Sequence, residues 1–262
     1  MELAAVNGQK IAYEDTASSG PAVVLAHGFL MDRTMFAPQV AALREQYRVV
    51  TWDERGFGDT VYDGSPFTYW DLAHDCLGLL DHLAIDRAVI GGMSQGGFVS
   101  LRVALLAPPR VEALVLLDTQ AGTEDPAMAS VLEAAFDAWA TSGPAIELAQ
   151  MAGDMLIGDP ELTRTWIPRW LARDANSLLE PSRTLLGRDD ITDRLGEIEV
   201  PALVVHGTAD ASIGMDRAQE LADGLPGCAG VVAIPGGSHA ANLTHPGAVN
   251  DAVLSFLSGL PH

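Results

Sequence analysis

One serine stands between two glycines, each two residues away, in Gly92-Met93-Ser94-Gln95-Gly96. An apolar run, residues 88–90, precedes it and a helix-like stretch, residues 97–107, follows. Strand, tight turn and helix in that order form the setting in which a serine hydroxyl acts as a nucleophile. The glycines remove β-carbons that would collide when the central residue takes a strained backbone conformation. The helix then begins beneath any oxyanion that develops. A base and an acid occur further along. Residues 201–207 read as a short buried strand ending in Thr208-Ala209-Asp210, and residues 230–234 read as another, followed by Pro235-Gly236-Gly237-Ser238-His239. Ser94, Asp210 and His239 thus appear in the chain order serine, acid, histidine.

Two further segments support the constellation: His27-Gly28-Phe29 after a strand at 22–26, and Asp53-Glu54-Arg55-Gly56-Phe57-Gly58 after a strand at 48–52. On these motifs the chain resembles the α/β-hydrolase family over nearly its whole length. The resemblance implies that His239 takes the Ser94 proton, that Asp210 fixes the imidazole tautomer, and that the backbone N–H groups of Phe29 and Gln95 receive the oxyanion. It implies no metal and no organic cofactor. Asp118, after the strand at 113–117, is a rival acid, because some relatives carry the carboxylate there; Asp210 is preferred for its place in the usual order.

The positioning elements alternate. A hairpin is expected around Asn7-Gly8, joining strands at 3–6 and 10–14. Strands at 22–26, 48–52, 88–90 and 113–117 then alternate with helices at 33–46, 69–83 and 97–107. The expected fold class is α/β: a mostly parallel eight-stranded sheet with helices on both faces. Residues 122–188 contain no strand pattern, only helix-like stretches at 131–140, 145–156 and 166–179. We expect these residues to form a helical cap inserted into a core made of 1–121 and 189–262. Phe29, Met93 and Trp166 are expected to line the substrate pocket. Trp166 and Trp170, four residues apart, share one helical face, a pattern that also suits plain core packing.

The 262 residues are 48% hydrophobic and 19% charged, enough to bury one large core. A formal net charge of −20 argues against binding to nucleic acid or to anionic membranes, both of which need basic clusters. Cys76 and Cys228 belong to no metal-spaced or C-x-x-C pattern. The opening residues lack a charged, then apolar leader, and a cytoplasmic location is expected. His27, His74, His82, His206, His245 and His262 have structural or surface readings, His27 as a buttress of the oxyanion loop. Asp53 and Arg55 are read as braces between turns.

Within the family the elbow residue sorts the chemistry. Relatives that open epoxides or displace halide use aspartate, whereas Ser94 implies acyl transfer. The expected activity is hydrolysis of a small or medium-sized carboxylic ester or lactone through an acyl-enzyme. Cofactor-free haloperoxidases or perhydrolases share these motifs. Carbon–carbon bond hydrolases form a weaker alternative, because none of Arg164, Arg169, Arg173 and Arg183 can be assigned to a dienoate acid. A slow-turnover ligand receptor is the alternative outside catalysis.

Overall fold

A computed structural model describes residues 1–260, so His262 lies outside the described residues. Asn7 and Gly8 both take positive φ, 47° and 80°, as a two-residue hairpin turn requires, and they join β1 (Glu2–Val6) to β2 (Gln9–Asp15). The sheet continues with β3 (Ala22–Ala26), β4 (Arg48–Trp52), β5 (Ala88–Met93), β6 (Val111–Leu117), β7 (Ala202–Gly207) and β8 (Cys228–Ile234). Its eight strands lie in the order β1-β2-β4-β3-β5-β6-β7-β8. Pairing is antiparallel from β1 through β2 to β4 and parallel beyond. Strands β3, β5 and β7 are buried at every residue, as strands covered on both faces must be, whereas β8, at the edge, is largely accessible.

Helices α1 (Ala37–Leu43) and α10 (Pro246–Ser258) pack together, α2 (Tyr69–His82) packs on α3 (Gln95–Leu106), and α3 lies on β5 and β6. Helix α8 (Met215–Gly224) covers β7 and β8, and the short α9 (Ala241–Thr244) precedes α10. Helix α2 shows how the sequence dictates its element. Thr68 and Asp71 form a reciprocal capping box, and the apolar side chains of Tyr69, Leu72, Ala73, Cys76, Leu79 and Leu80 recur at helical spacing and are buried. Burial also pushes the Cys76 thiol up to about 12, which makes it an inert core residue. Cys76 and Cys228 are both free thiols.

Between β6 and β7 come α4 (Pro126–Ser142), α5 (Ile146–Leu156), α6 (Pro160–Leu171) and α7 (Leu179–Leu186). The single helix expected over 166–179 is two elements. Helix α6 starts earlier, because Asp159 accepts from the N–H groups of Glu161 and Leu162 and Pro160 occupies the first turn, and it ends at Leu171. A 3₁₀ turn, Ala175–Leu178, then leads into α7. The helix expected over 33–46 is likewise a 3₁₀ turn, Arg33–Phe36, followed by α1. Among the described residues, no helix is long and apolar enough to cross a membrane.

Candidate active site

Ser94 sits between the last residue of β5 and the first of α3 with φ 52° and ψ −113°, a conformation that only a well-braced turn maintains in a residue with a β-carbon. The braces are visible. The Ser94 N–H donates to the Leu117 carbonyl at 2.9 Å, and the Thr119 hydroxyl donates to the Ser94 carbonyl at 2.7 Å. Gly96 is fixed by contact: a β-carbon there would fall on the Ala26 carbonyl, and one at Gly92 would fall on Gly96 itself. The two glycines therefore let β5, α3 and β3 approach closely enough for the turn to close.

Asp210 and His239 come from the loops that follow β7 and β8. His239 Nδ1 lies 2.8 Å from Asp210 Oδ2, and both side chains are 1% exposed. An ionised carboxylate only accepts, so Nδ1 carries a proton, and in the neutral ring that leaves the lone pair on Nε2. Asp210 Oδ1 accepts the N–H groups of Ser212 at 2.7 Å and Ile213 at 2.9 Å. Burial alone would raise the Asp210 pKa; the adjacent His239 and these two N–H donors outweigh it and bring the carboxyl below its ordinary value. The two loops are laced together by Thr208 N–H to Ile234 O at 3.0 Å and Ala209 N–H to Gly237 O at 2.8 Å.

Asp118, the rival acid, lies beneath this pair. It is buried at the end of β6 with φ 46°, and its Oδ1 and Oδ2 accept from Gly207 N–H at 2.8 Å and Ala241 N–H at 3.2 Å. It therefore ties the loop that carries Asp210 to the segment that follows His239. Desolvation holds its pKa well above the carboxylate range despite those two donors, with the Asp210 charge adding to the rise. Asp118, His206 and Asp210 bring three potential metal-ligand atoms within 4.8 Å of one another. Protein groups already engage all three, since His206 Nε2 is 2.9 Å from the Ile213 carbonyl and Asp210 serves His239. The donor set is that of a brace.

Gln95 is the first residue of α3, so its N–H has no intrahelical acceptor. Among the described residues neither it nor the Phe29 N–H donates to a protein group. The Gln95 side chain turns away into the core, where its Oε1 receives the Tyr69 hydroxyl at 3.2 Å. His27 is buried behind the Phe29 loop: Nδ1 lies 2.8 Å from the Gly28 carbonyl, and Nε2 accepts the Glu54 N–H at 3.0 Å. Burial lowers its pKa and keeps the ring neutral. Asp53 accepts from the Arg33 N–H at 2.7 Å and the Asp59 N–H at 2.8 Å, while Arg55 Nε reaches Asp75 at 2.6 Å; both residues occupy bracing positions.

Ser94 and His239 open onto one apolar cavity of about 140 Å³, walled by Phe29 and Phe98 from the sheet side and by Phe136, Trp139 and Met155 from the insertion. The Phe29 and Phe136 rings lie 5.2 Å apart, so the loop after β3 touches α4 directly. Two of the residues expected in this pocket lie elsewhere. Met93 is buried with its sulfur packed against Gly28. Trp166 stacks on Trp170 at 6.5 Å, and both face a separate, more open groove of about 740 Å³ that includes neither Ser94 nor His239. The physical reason lies in α6, which is pinned to the loop after β3 by Trp170 Nε1 donating to the Leu30 carbonyl at 2.7 Å. That turns its tryptophan face outward from the serine. The larger groove holds neither Ser94 nor His239, so the smaller cavity is the candidate site.

The sequence and the fold have counterparts. A 3-oxoadipate enol-lactonase of Acinetobacter baylyi is 30% identical over 209 residues, covering 73% of this chain and 72% of that one. The crystal structure of an enol-lactonase from Burkholderia xenovorans LB400 superposes with a TM-score of 0.89 at 29% identity, covering 98% of this chain and 99% of the other. A thermophilic esterase from Thermogutta terrifontis gives 0.88 at 28% identity, covering 98% and 97%. The family model described as the alpha/beta hydrolase fold matches residues 21–246. That match spans most of the chain and contains the strands and loops just described, and the protein belongs to the α/β-hydrolase family.

Proposed function

We propose that the protein is a serine hydrolase that cleaves a small or medium-sized carboxylic ester or lactone through an acyl-enzyme. The observation that carries this reading is the placement of Ser94, at a strained strand-to-helix turn, on the same apolar cavity as a His239 whose Nδ1 is held by Asp210 at 2.8 Å. Ser94 Oγ attacks the carbonyl while His239 Nε2 takes its proton, and Asp210 stabilises the imidazolium. The N–H groups of Phe29 and Gln95 receive the oxyanion. His239 then protonates the leaving alkoxide, water attacks the acyl-enzyme, and an acid departs, or a ring-opened hydroxy acid where the substrate was a lactone. Residues 122–188 act as the cap over a core of 1–121 and 189–262, and their apolar wall receives the acyl chain. The relatives named above, an esterase and enol-lactonases, agree with ester and lactone substrates.

The test is direct. Ser94→Ala should lower kcat by on the order of 10³-fold or more without loss of the folded state, because triad members act as a unit. A serine-directed phosphonate should add once, at Ser94. Near-normal turnover by the alanine variant, or labelling at another residue, would overturn the assignment.

A further inference from the structure

The cavity above Ser94 is walled almost throughout by carbon, yet one carboxylate opens on it, Glu124, from the loop between β6 and α4. Its Oε2 receives Arg188 Nη1. The guanidinium is otherwise consumed by the backbone: Nη1 donates to the Leu185 carbonyl at 2.8 Å, and Nε and Nη2 donate to the Gly122 carbonyl at 3.2 and 3.0 Å. Arg188 is buried with its flat face 4.4 Å from the Phe98 ring centre, and it does not line the cavity. Among the described residues, Glu124 Oε1 accepts no hydrogen bond from protein. The pair is thus asymmetric: its positive partner faces main chain, and its negative partner faces the space where the substrate lies. Glu124, Ser212 and Ile213 also line an adjoining polar groove of about 210 Å³ that carries Asp125 and Asp216, so the acidic character extends outward from the cavity. The one arginine of that groove, Arg217, is 3.2 Å from Glu220.

We infer that Glu124 sets the charge of the substrate. The site takes esters or lactones whose far end is neutral or cationic, and best those ending in an N–H or O–H donor that Oε1 can accept; it turns away substrates bearing a second carboxylate. A carboxylate brought into this cavity would lose its water and meet Glu124 with no free cation to compensate, whereas an ammonium or hydroxyl would gain a charge-assisted hydrogen bond. Discrimination thus comes from a repulsive element as much as an attractive one. The inference rests on the reading of Ser94 as nucleophile and extends it to substrate class.

Alkylboronic acids test both, since boron adds to a nucleophilic serine and leaves the alkyl tail in the acyl cavity. Three tails of equal length would be compared on the wild-type enzyme: methyl-ended, ammonium-ended and carboxylate-ended. Salt of about 0.5 M screens the chain's overall negative charge. The ammonium-ended compound should inhibit at least as tightly as the methyl-ended one, and the carboxylate-ended one more weakly by roughly tenfold or more, the scale of one unpaired buried charge. In Glu124→Gln the carboxylate penalty should shrink by roughly tenfold, because Arg188 then loses its counter-charge. Failure of even the methyl-ended boronate to inhibit would count against Ser94. Inhibition by all three without charge discrimination, or a penalty unchanged in Glu124→Gln, would overturn the role of Glu124 and leave Ser94 standing. The wild-type series reads the inference even if the variant does not fold.

Discussion

Glu54 follows Asp53 at the end of β4 and is completely buried, and neither of its carboxylate oxygens has a hydrogen-bond partner. Burial holds its pKa well above the ordinary glutamate value, and the neighbouring charges of Asp53 and Asp75 push it further in the same direction. In the unfolded chain the carboxyl ionises near pH 4.3, so between that pH and the raised value the folded protein holds a proton that the unfolded chain has lost. The unfolded state then binds fewer protons, and stability must fall as pH rises. The slope for one such group is about 1.4 kcal/mol per pH unit. Glu54→Gln keeps the shape and removes the titration. Its stability relative to wild type should therefore climb by about 1.4 kcal/mol for each pH unit inside the window, or roughly 3–5 °C in Tm per unit for a chain of this size, and level off once the wild-type carboxyl ionises. Urea unfolding of both proteins at pH 5, 6 and 7 reads the difference directly. Asp118 has a raised pKa of the same sign, but it is present in both proteins and cancels. A difference that stays constant across the three pH values would refute the reasoning, because it would mean that Glu54 is ionised and solvated in the folded state.

Two further outcomes follow from the site. Asp210→Asn should cost orders of magnitude in kcat, since the amide cannot hold His239 in the required tautomer, while Asp118→Asn should act mainly through stability by disturbing its tether to Gly207 and Ala241; comparing kcat with Tm for the two variants decides it, and a reversed ranking would move the acid to β6. Met155→Ala should shift relative kcat/KM among esters of increasing acyl length, by about 1–3 kcal/mol, whereas Trp166→Ala should lower Tm and leave that profile in place, because Met155 lines the serine cavity and Trp166 lines the outer groove.

The parts that were legible share a physical origin: local backbone chemistry leaves a local mark. The Asn7-Gly8 turn, the glycines around Ser94 and the buried runs of β3, β5 and β7 are each fixed by residues within a few positions. The elements that eluded the sequence are set by distant contacts. Arg188 meets Glu124 across 64 residues, and Trp170 is turned by a carbonyl 140 residues away, so neither segment carries a sign of its partner. The helical face of Trp166 and Trp170 was readable as a pattern, but a stripe alone does not say which of two surfaces it will cover. Asp118 stood out at a strand end that suits an acid, and nothing local announced the two N–H donors that tether it to Gly207 and Ala241.

The insertion between β6 and β7 also divides the assembly of this enzyme in time. A chain emerging from the ribosome completes β3, β5 and α3, and with them the Ser94 turn, while α4–α7 and the last two strands are still to be made. Asp210 and His239 arrive only with β7 and β8, and the pairing that joins them to the rest of the sheet, β7 on β6, brings together residues as far apart in sequence as Leu114 and Ala202. A nascent or truncated chain therefore carries Ser94 without His239 or Asp210 beside it. On the proposed mechanism, reactivity is withheld until the final strand has docked, and the unfinished protein would be silent toward esters.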